Sequence, residues 1–133
     1  MLCLDTTFMI DLLKNRLDAL SKFQQIKDQE IYTTLINIYE IKAGIQRKFE
    51  RHIVLRETAI FNKLLSSIQI FDLDIKSVSK AAEINGELTN EGAIIEDLDI
   101  LIAAMCLTND CNTIITKDKR HFSRIKGLKV ESY

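Results

Sequence analysis

The chain has 133 residues, 47% hydrophobic and 28% charged, with a formal net charge of −1. That length fits one domain, 1–133, with a substantial core, and the composition excludes a disordered or collagen-like chain. No apolar run approaches the roughly 20 residues that span a bilayer, and Asp5 and Asp11 interrupt the apolar N-terminal stretch a secretory signal needs, so a soluble cytoplasmic protein is expected.

The first element is organised around Asp5. The apolar run Leu2-Cys3-Leu4 leads into this acid, two threonines follow, and Phe8, Met9, Ile10, Leu12 and Leu13 then repeat at helical spacing. The pattern predicts a buried strand, a tight turn and a helix over Met1–Lys14. In open parallel sheets, ligands bind at the carboxyl ends of strands, which makes Asp5 a candidate for chemistry. On this stretch alone, Asp5 or Thr6 serves equally well as a helix N-cap.

Leu17–Ile26 has helical spacing through Leu17, Leu20, Phe23 and Ile26, and Glu30–Thr34 is a short β-rich run. The apolar residues of Leu35–Arg47 cover most of a helix circumference. At about 100° per residue, Glu40 shares a narrow sector with Asn37 and Gly44. An acid on a largely apolar helix is costly unless it is paired or binds a cation. His52–Ser66 is amphipathic, Ser67–Phe71 is a short strand, and Asp74–Thr89 returns to helical spacing before the loop Asn90-Glu91-Gly92-Ala93.

Glu96–Leu107, EDLDILIAAMCL, predicts a helix buried on nearly all sides, with three acids in its first turn. The helix dipole favours acids there by roughly 0.3–1 kcal/mol each, which accounts for one or two of them. Asp99 projects beside Ile102, Ala103 and Cys106 on the packed side, whereas Asp97 lies over Ala104 and Thr108. Thr113–Thr116 is then a strand ending at Lys117-Asp118, so an acid again follows a buried strand. A helical turn through Phe122 and Ile125, then Gly127 and a strand Leu128–Val130, close the chain.

Cys3, Cys106 and Cys111 show no CxxC spacing and read as small core residues. His52 and His121 lie in charged surroundings without a neighbour at metal-ligand spacing, and surface roles are expected. Eight acids and two lysines fall between Asp72 and Asp99, while six Lys/Arg and two acids follow from Thr113. Arg47, Lys48, Arg51, His52 and Arg56 form a second basic cluster. Either run also suits a solvated surface.

Short strands alternating with longer helices argue for an α/β fold with a parallel sheet covered on both faces. Right-handed crossovers bring all strand carboxyl ends to one rim, where Asp5 and Asp118 emerge together and Glu40 and Asp99 can reach. Four converging carboxylates repel unless some protonate or a cation sits between them. An oxygen-only set suits Mg²⁺ or Mn²⁺, ions that serve phosphoryl chemistry without a general-base histidine.

The set LDTTFMIDLL, TTLINIYEIKAG, DLDILIAA and IITKDKRHF…GLKVESY resembles the PIN-domain nucleases, and more narrowly the VapC toxins of bacterial and archaeal toxin–antitoxin pairs. The resemblance spans essentially the whole chain, with the motifs in the family's order. It implies a three-layer α/β/α PIN-like domain with a central parallel sheet of four to five strands. It also implies an endoribonuclease that uses Mg²⁺ or Mn²⁺ to cut single-stranded or loop RNA by water attack. Residue by residue, the resemblance assigns Asp5, Glu40, Asp99 and Asp118 as the catalytic, metal-holding acids. Thr6 and Thr116 match supporting positions, Glu96 and Asp97 are further supporting candidates, and Asp99 is preferred to Asp97 because it stands three residues ahead of the Ile-Ala-Ala run. Lys117, Lys119 and Arg120, with Arg47 and Arg51 of the mid-chain cluster, would track the RNA backbone. A homodimer and a VapB-type antitoxin whose tail fills the active groove are implied as partners. Ile10, Leu13, Phe49 and Ile53 are candidate contacts, although they also suit a core.

Three rivals differ in class. A housekeeping RNA-processing PIN nuclease would release a defined maturation intermediate and cause no growth arrest. A haloacid-dehalogenase-like phosphatase would use Asp5 as nucleophile but wants a second acid where Thr7 stands. A non-catalytic binding module would use its acids only as caps.

Overall fold

The computed structural model describes residues 1–133. Strands β1 (Leu2–Leu4), β2 (Ile31–Thr34), β3 (Gln69–Phe71), β4 (Thr113–Ile115) and β5 (Lys129–Glu131) form one parallel sheet. Their order is β3-β2-β1-β4-β5, which puts β1 at the centre. The helices are α1 (Thr6–Leu13), α2 (Leu17–Ile26), α3 (Leu35–Gln46), α4 (Arg51–Leu65), α5 (Ile75–Asn90), α6 (Asp97–Thr108) and α7 (Lys119–Phe122).

Alternation along β1 divides the core in two. Cys3 packs with Ala81, Ile84 and Leu88 of α5 and Ile102–Cys106 of α6, while Leu2 and Leu4 pack with Phe8 and Met9 of α1 and Ile38 and Ile41 of α3. β4 alternates likewise, with Ile114 on the first side and Ile115 on the second. Both faces of the central strands are therefore covered, which is why they read as unbroken apolar runs. The result is the expected three-layer α/β/α architecture, with five strands.

Most element boundaries lie within two residues of those predicted. β4 ends at Ile115 rather than Thr116, yet the Thr116 N–H still donates to the Glu131 carbonyl at 3.0 Å. The last strand is shifted one residue, because Leu128 turns into the core. The stripe on α2 needs correction. Leu17 and Leu20 are exposed, and the helix docks through Ala19, Ile26 and the partly buried Phe23. All three cysteines are buried and free, as expected of small core residues.

Sheet order positions the site. From β1 the chain crosses to β2 and β3 on one side, then returns to place β4 and β5 on the other. The topological switch lies between β1 and β4, where the chain turns away in opposite directions and leaves a crevice at the carboxyl rim. Asp5 follows β1 and Thr116 follows β4, and the Asp5 N–H donates to the Ile115 carbonyl at 3.1 Å.

Candidate metal centre

Asp5 occupies the N-cap position of α1, but its side chain makes no capping bond. Its carboxylate instead accepts from Thr116 Oγ1 at 2.6 Å, Asn37 Nδ2 at 3.0 Å and Thr7 Oγ1 at 3.3 Å. Burial pushes its carboxyl above the usual range, and the Thr116 hydrogen bond opposes that rise. A buried carboxylate oriented by three donors is not explained as a helix cap.

Asn37 is the hub that sequence reasoning missed. It is fully buried at the start of α3, where it forms a reciprocal capping box with Thr34. Its amide nitrogen donates to Asp5 Oδ1 and to Thr6 Oγ1, both at 3.0 Å. Its amide oxygen accepts from Thr34 Oγ1 at 2.7 Å and Thr34 N at 3.3 Å. Both amide hydrogens and both acceptor positions are used, which fixes the orientation of the amide. Thr6 passes the constraint on by donating to Glu40 Oε1 at 2.7 Å. Glu40 lies half-buried, three residues along α3 from Asn37, as the shared sector predicted. Its carboxyl is raised by burial first, then by the charges of Asp5 and Glu96.

Thr116 links the other wall. Its hydroxyl donates to Asp5 and accepts from the Asp118 N–H at 2.9 Å. Thr7, also missed, lies 3.1 Å from Thr116 Oγ1 and accepts from the Lys117 N–H at 3.1 Å. Asp118 Oδ1 caps α7 through the His121 N–H at 3.4 Å, and its Oδ2 lies 2.9 Å from His121 Nδ1. The same nitrogen is 3.2 Å from Asp99 Oδ2. His121 therefore faces Asp99 and Asp118, which corrects the expectation that it has no neighbour at metal-ligand spacing.

Asp99 connects all four acids. Its carboxyl is pushed up to about 6, by burial first and then by the charges of Asp5, Asp118 and Glu40. Asp97, two residues earlier, is exposed. The packed side of α6 thus separates the two candidates in EDLD. Asp99, Asp118 and His121 offer ligand atoms that all lie within 4.8 Å of one another. The donor set suits a divalent ion, since Asp99 feels the charges of Asp5, Asp118 and Glu40, while the atoms at ligand spacing are those of Asp99, Asp118 and His121.

The basic residues divide. Lys117 turns back from the rim, with its Nζ 2.7 Å from Asp11 Oδ2 and 3.5 Å from Asp18 Oδ2, and 5.0 Å from the Tyr133 ring centroid. This cation, expected to contact phosphate, is thus also ion-paired within the fold. Lys117→Ala is expected to lower the melting temperature slightly, read by a thermal melt, because it removes the pair with the part-buried Asp11. Lys119, Arg120 and Arg51 are exposed and form no ion pairs. Arg47 borders a groove of about 400 Å³ that runs from Thr6 and Glu40 between α1, α3 and α4.

Comparison with known proteins matches the PIN domain family to residues 2–128. Ribonuclease VapC2 of Haemophilus influenzae is 28% identical over 98% of this chain and 96% of its own. The tRNA(fMet)-specific endonuclease VapC of Salmonella typhimurium is 22% identical over the same shares. Among solved structures, VapBC2 from Rickettsia felis bound to a promoter DNA fragment superposes with a TM-score of 0.86 at 24% identity, covering 99% of this chain and 98% of that one. FitAB bound to an IR36 DNA fragment gives 0.87 at 18% identity, covering 99% and 94%. With a family match over nearly its whole length and the fold to go with it, this chain belongs to the PIN-domain family.

Proposed function

We propose that this chain is a divalent-metal-dependent endoribonuclease of the VapC kind, acting as the toxin of a toxin–antitoxin pair. The observation that carries the reading is the convergence of Asp5, Glu40, Asp99 and Asp118 on the switch-point crevice. Caps alone do not account for it, because Asp5 makes no capping bond and Asp99 lies half-buried among like charges. These four acids would hold Mg²⁺ or Mn²⁺. Such an ion lowers the pKa of water and neutralises charge developing on a phosphodiester.

The chain's own residues then have distinct tasks. Asn37 and Thr116 aim the Asp5 carboxylate, Thr6 aims Glu40, and the Asp118 backbone is pinned to Thr116. Lys119, Arg120 and Arg51 offer free cations for phosphates of single-stranded or looped RNA, with Arg47 at the groove's edge. Names such as ribonuclease VapC2 and tRNA(fMet)-specific endonuclease among the relatives support RNA as substrate. The VapBC complexes among the structural neighbours support a VapB-type antitoxin as partner. The groove offers its tail a path to the acids past Ile10 and Leu13, while Phe49 is fully exposed. A homodimer and a cytoplasmic location belong to the same reading, and no helix is long and apolar enough to cross a membrane.

The test combines binding with activity. Mn²⁺ at about 100 times its Kd is expected to stabilise the protein by about 2.7 kcal/mol, and Asp5→Asn is expected to lose both that gain and the cleavage of a single-stranded RNA. No metal-induced rise in melting temperature, together with undiminished cleavage by the variant, would overturn the proposal.

A further inference from the structure

We propose, resting on the reading of the acid cluster as a metal centre, that His121 Nδ1 is itself a metal ligand and tilts the site away from Mg²⁺ toward Mn²⁺. The first support is position. Asp118 caps α7 and His121 is three residues on, so both project to the same side of this single turn. The cap occupies Asp118 Oδ1 and leaves Oδ2 facing the imidazole, 2.9 Å from Nδ1. α6 brings Asp99 Oδ2 to 3.2 Å from the same nitrogen.

The second support is valence. A neutral imidazole nitrogen carries one hydrogen or one lone pair, yet Nδ1 stands between two carboxylates at closely similar distances. A single N–H there is shared in a three-centre bond, whereas a bound cation would serve both carboxylates and the ring lone pair at once. Adjacent ligands of an octahedral ion with bonds of about 2.1 Å are separated by about 3.0 Å, and the spacings of 2.9 and 3.2 Å straddle that value. Two of the triad's three edges therefore match those of a coordination face, and the third lies within 4.8 Å. The His121 side chain is 33% exposed, so the ring is not walled into the core.

Donor chemistry then gives the consequence. Mg²⁺ takes oxygen ligands and sheds water reluctantly, whereas first-row transition ions accept imidazole nitrogen. Replacing one oxygen of an all-carboxylate site with nitrogen weakens its claim on Mg²⁺ relative to Mn²⁺. The ion is thus selected by a residue outside the set of four acids.

The test is spectroscopic and uses the full-length chain. His52, the other histidine, is exposed and paired with Glu50, so an imidazole signal has only two possible sources. Pulsed EPR of bound Mn²⁺ is expected to show ¹⁴N modulation from a coordinated imidazole in the wild type and in His52→Asn, and to lose it in His121→Asn. Parallel calorimetric titrations of His121→Asn are expected to show Mn²⁺ affinity falling by about 10–100-fold, and Mg²⁺ affinity by less than about 3-fold. Unchanged metal-free melting of the variant would show that it folds normally. Tight Mn²⁺ binding without nitrogen coupling would overturn this inference and leave the metal centre standing. Equal losses for both ions with coupling retained would also overturn it. Absence of any Mn²⁺ binding would remove the metal centre and this inference with it.

Discussion

Asp99→Asn is expected to abolish RNA cleavage and, at the same time, to raise the metal-free melting temperature at neutral pH. The two effects share one cause. Burial, then Asp5, Asp118 and Glu40, push the Asp99 carboxyl up to about 6 from an ordinary value of 3.8. Between those two pH values the folded chain holds a proton that the unfolded chain has released. Stability contributed by that proton is therefore present at low pH and falls as pH rises through the window. By pH 7 the ionised group costs the metal-free fold on the order of 2 kcal/mol. The amide removes that cost but gives up a charged metal ligand, so cleavage should fall by more than ~100-fold. In melting curves from pH 4 to 8 without metal, the wild type should lose stability through the window while the variant stays flatter. A variant that melts below the wild type at pH 7 and still cleaves would refute this account.

Asn37→Ala carries the second large effect, and its sign on stability is the opposite. Removal of the amide strips a partner from Asp5, Thr6 and Thr34 in a fully buried position. Each buried polar group left unpaired costs about 1–3 kcal/mol, and the Asn37 side-chain half of the α3 capping box is lost as well, while Thr34 Oγ1 still accepts from the backbone N–H of residue 37. A destabilisation of roughly 3 kcal/mol or more, or about 10 °C in melting temperature, is expected. Cleavage should fall too, because Asp5 and Glu40 are aimed through this one side chain. Asn37→Asp separates position from chemistry. A carboxylate there opposes Asp5 at pH 7, whereas a protonated acid at pH 5 again donates, so its stability deficit should shrink on acidification. A deficit equal at both pH values would argue against the hydrogen-bond role.

These outcomes bear on which parts of the site sequence alone can reveal. The four acids were legible because each is a charge placed on an apolar element, and such placements need a reason. Asp99 was separable from Asp97 by helical projection, and burial agrees. Asn37 and Thr7 carry no charge, so nothing in their surroundings marked them, although Asn37 did share the sector of Glu40. His121 was hidden by its neighbours, since KDKRHF looks like a solvated run. Its spacing of three from Asp118 was visible, but its approach to Asp99 depends on how α6 and α7 pack. The ion pair of Lys117 was hidden for the converse reason. Its neighbours suggested a phosphate track, while the turn after β4 directs it onto Asp11, an acid tucked into α1 whose partner no local pattern discloses. The sheet was readable as parallel, and strand ends slipped by a residue or two because the strands are only three or four residues long.

The order β3-β2-β1-β4-β5 has a further consequence, in the timing of synthesis. Asp5 is synthesised well before its 2.6 Å partner Thr116, and Asp118 and His121 come later still. Until β4 inserts beside β1, the emerging polypeptide holds a half-built crevice in which the Asp5 side chain lacks one of its walls. Non-local pairing of this kind forms late in folding. The crevice is therefore complete only once the residues that follow β4 have docked beside β1.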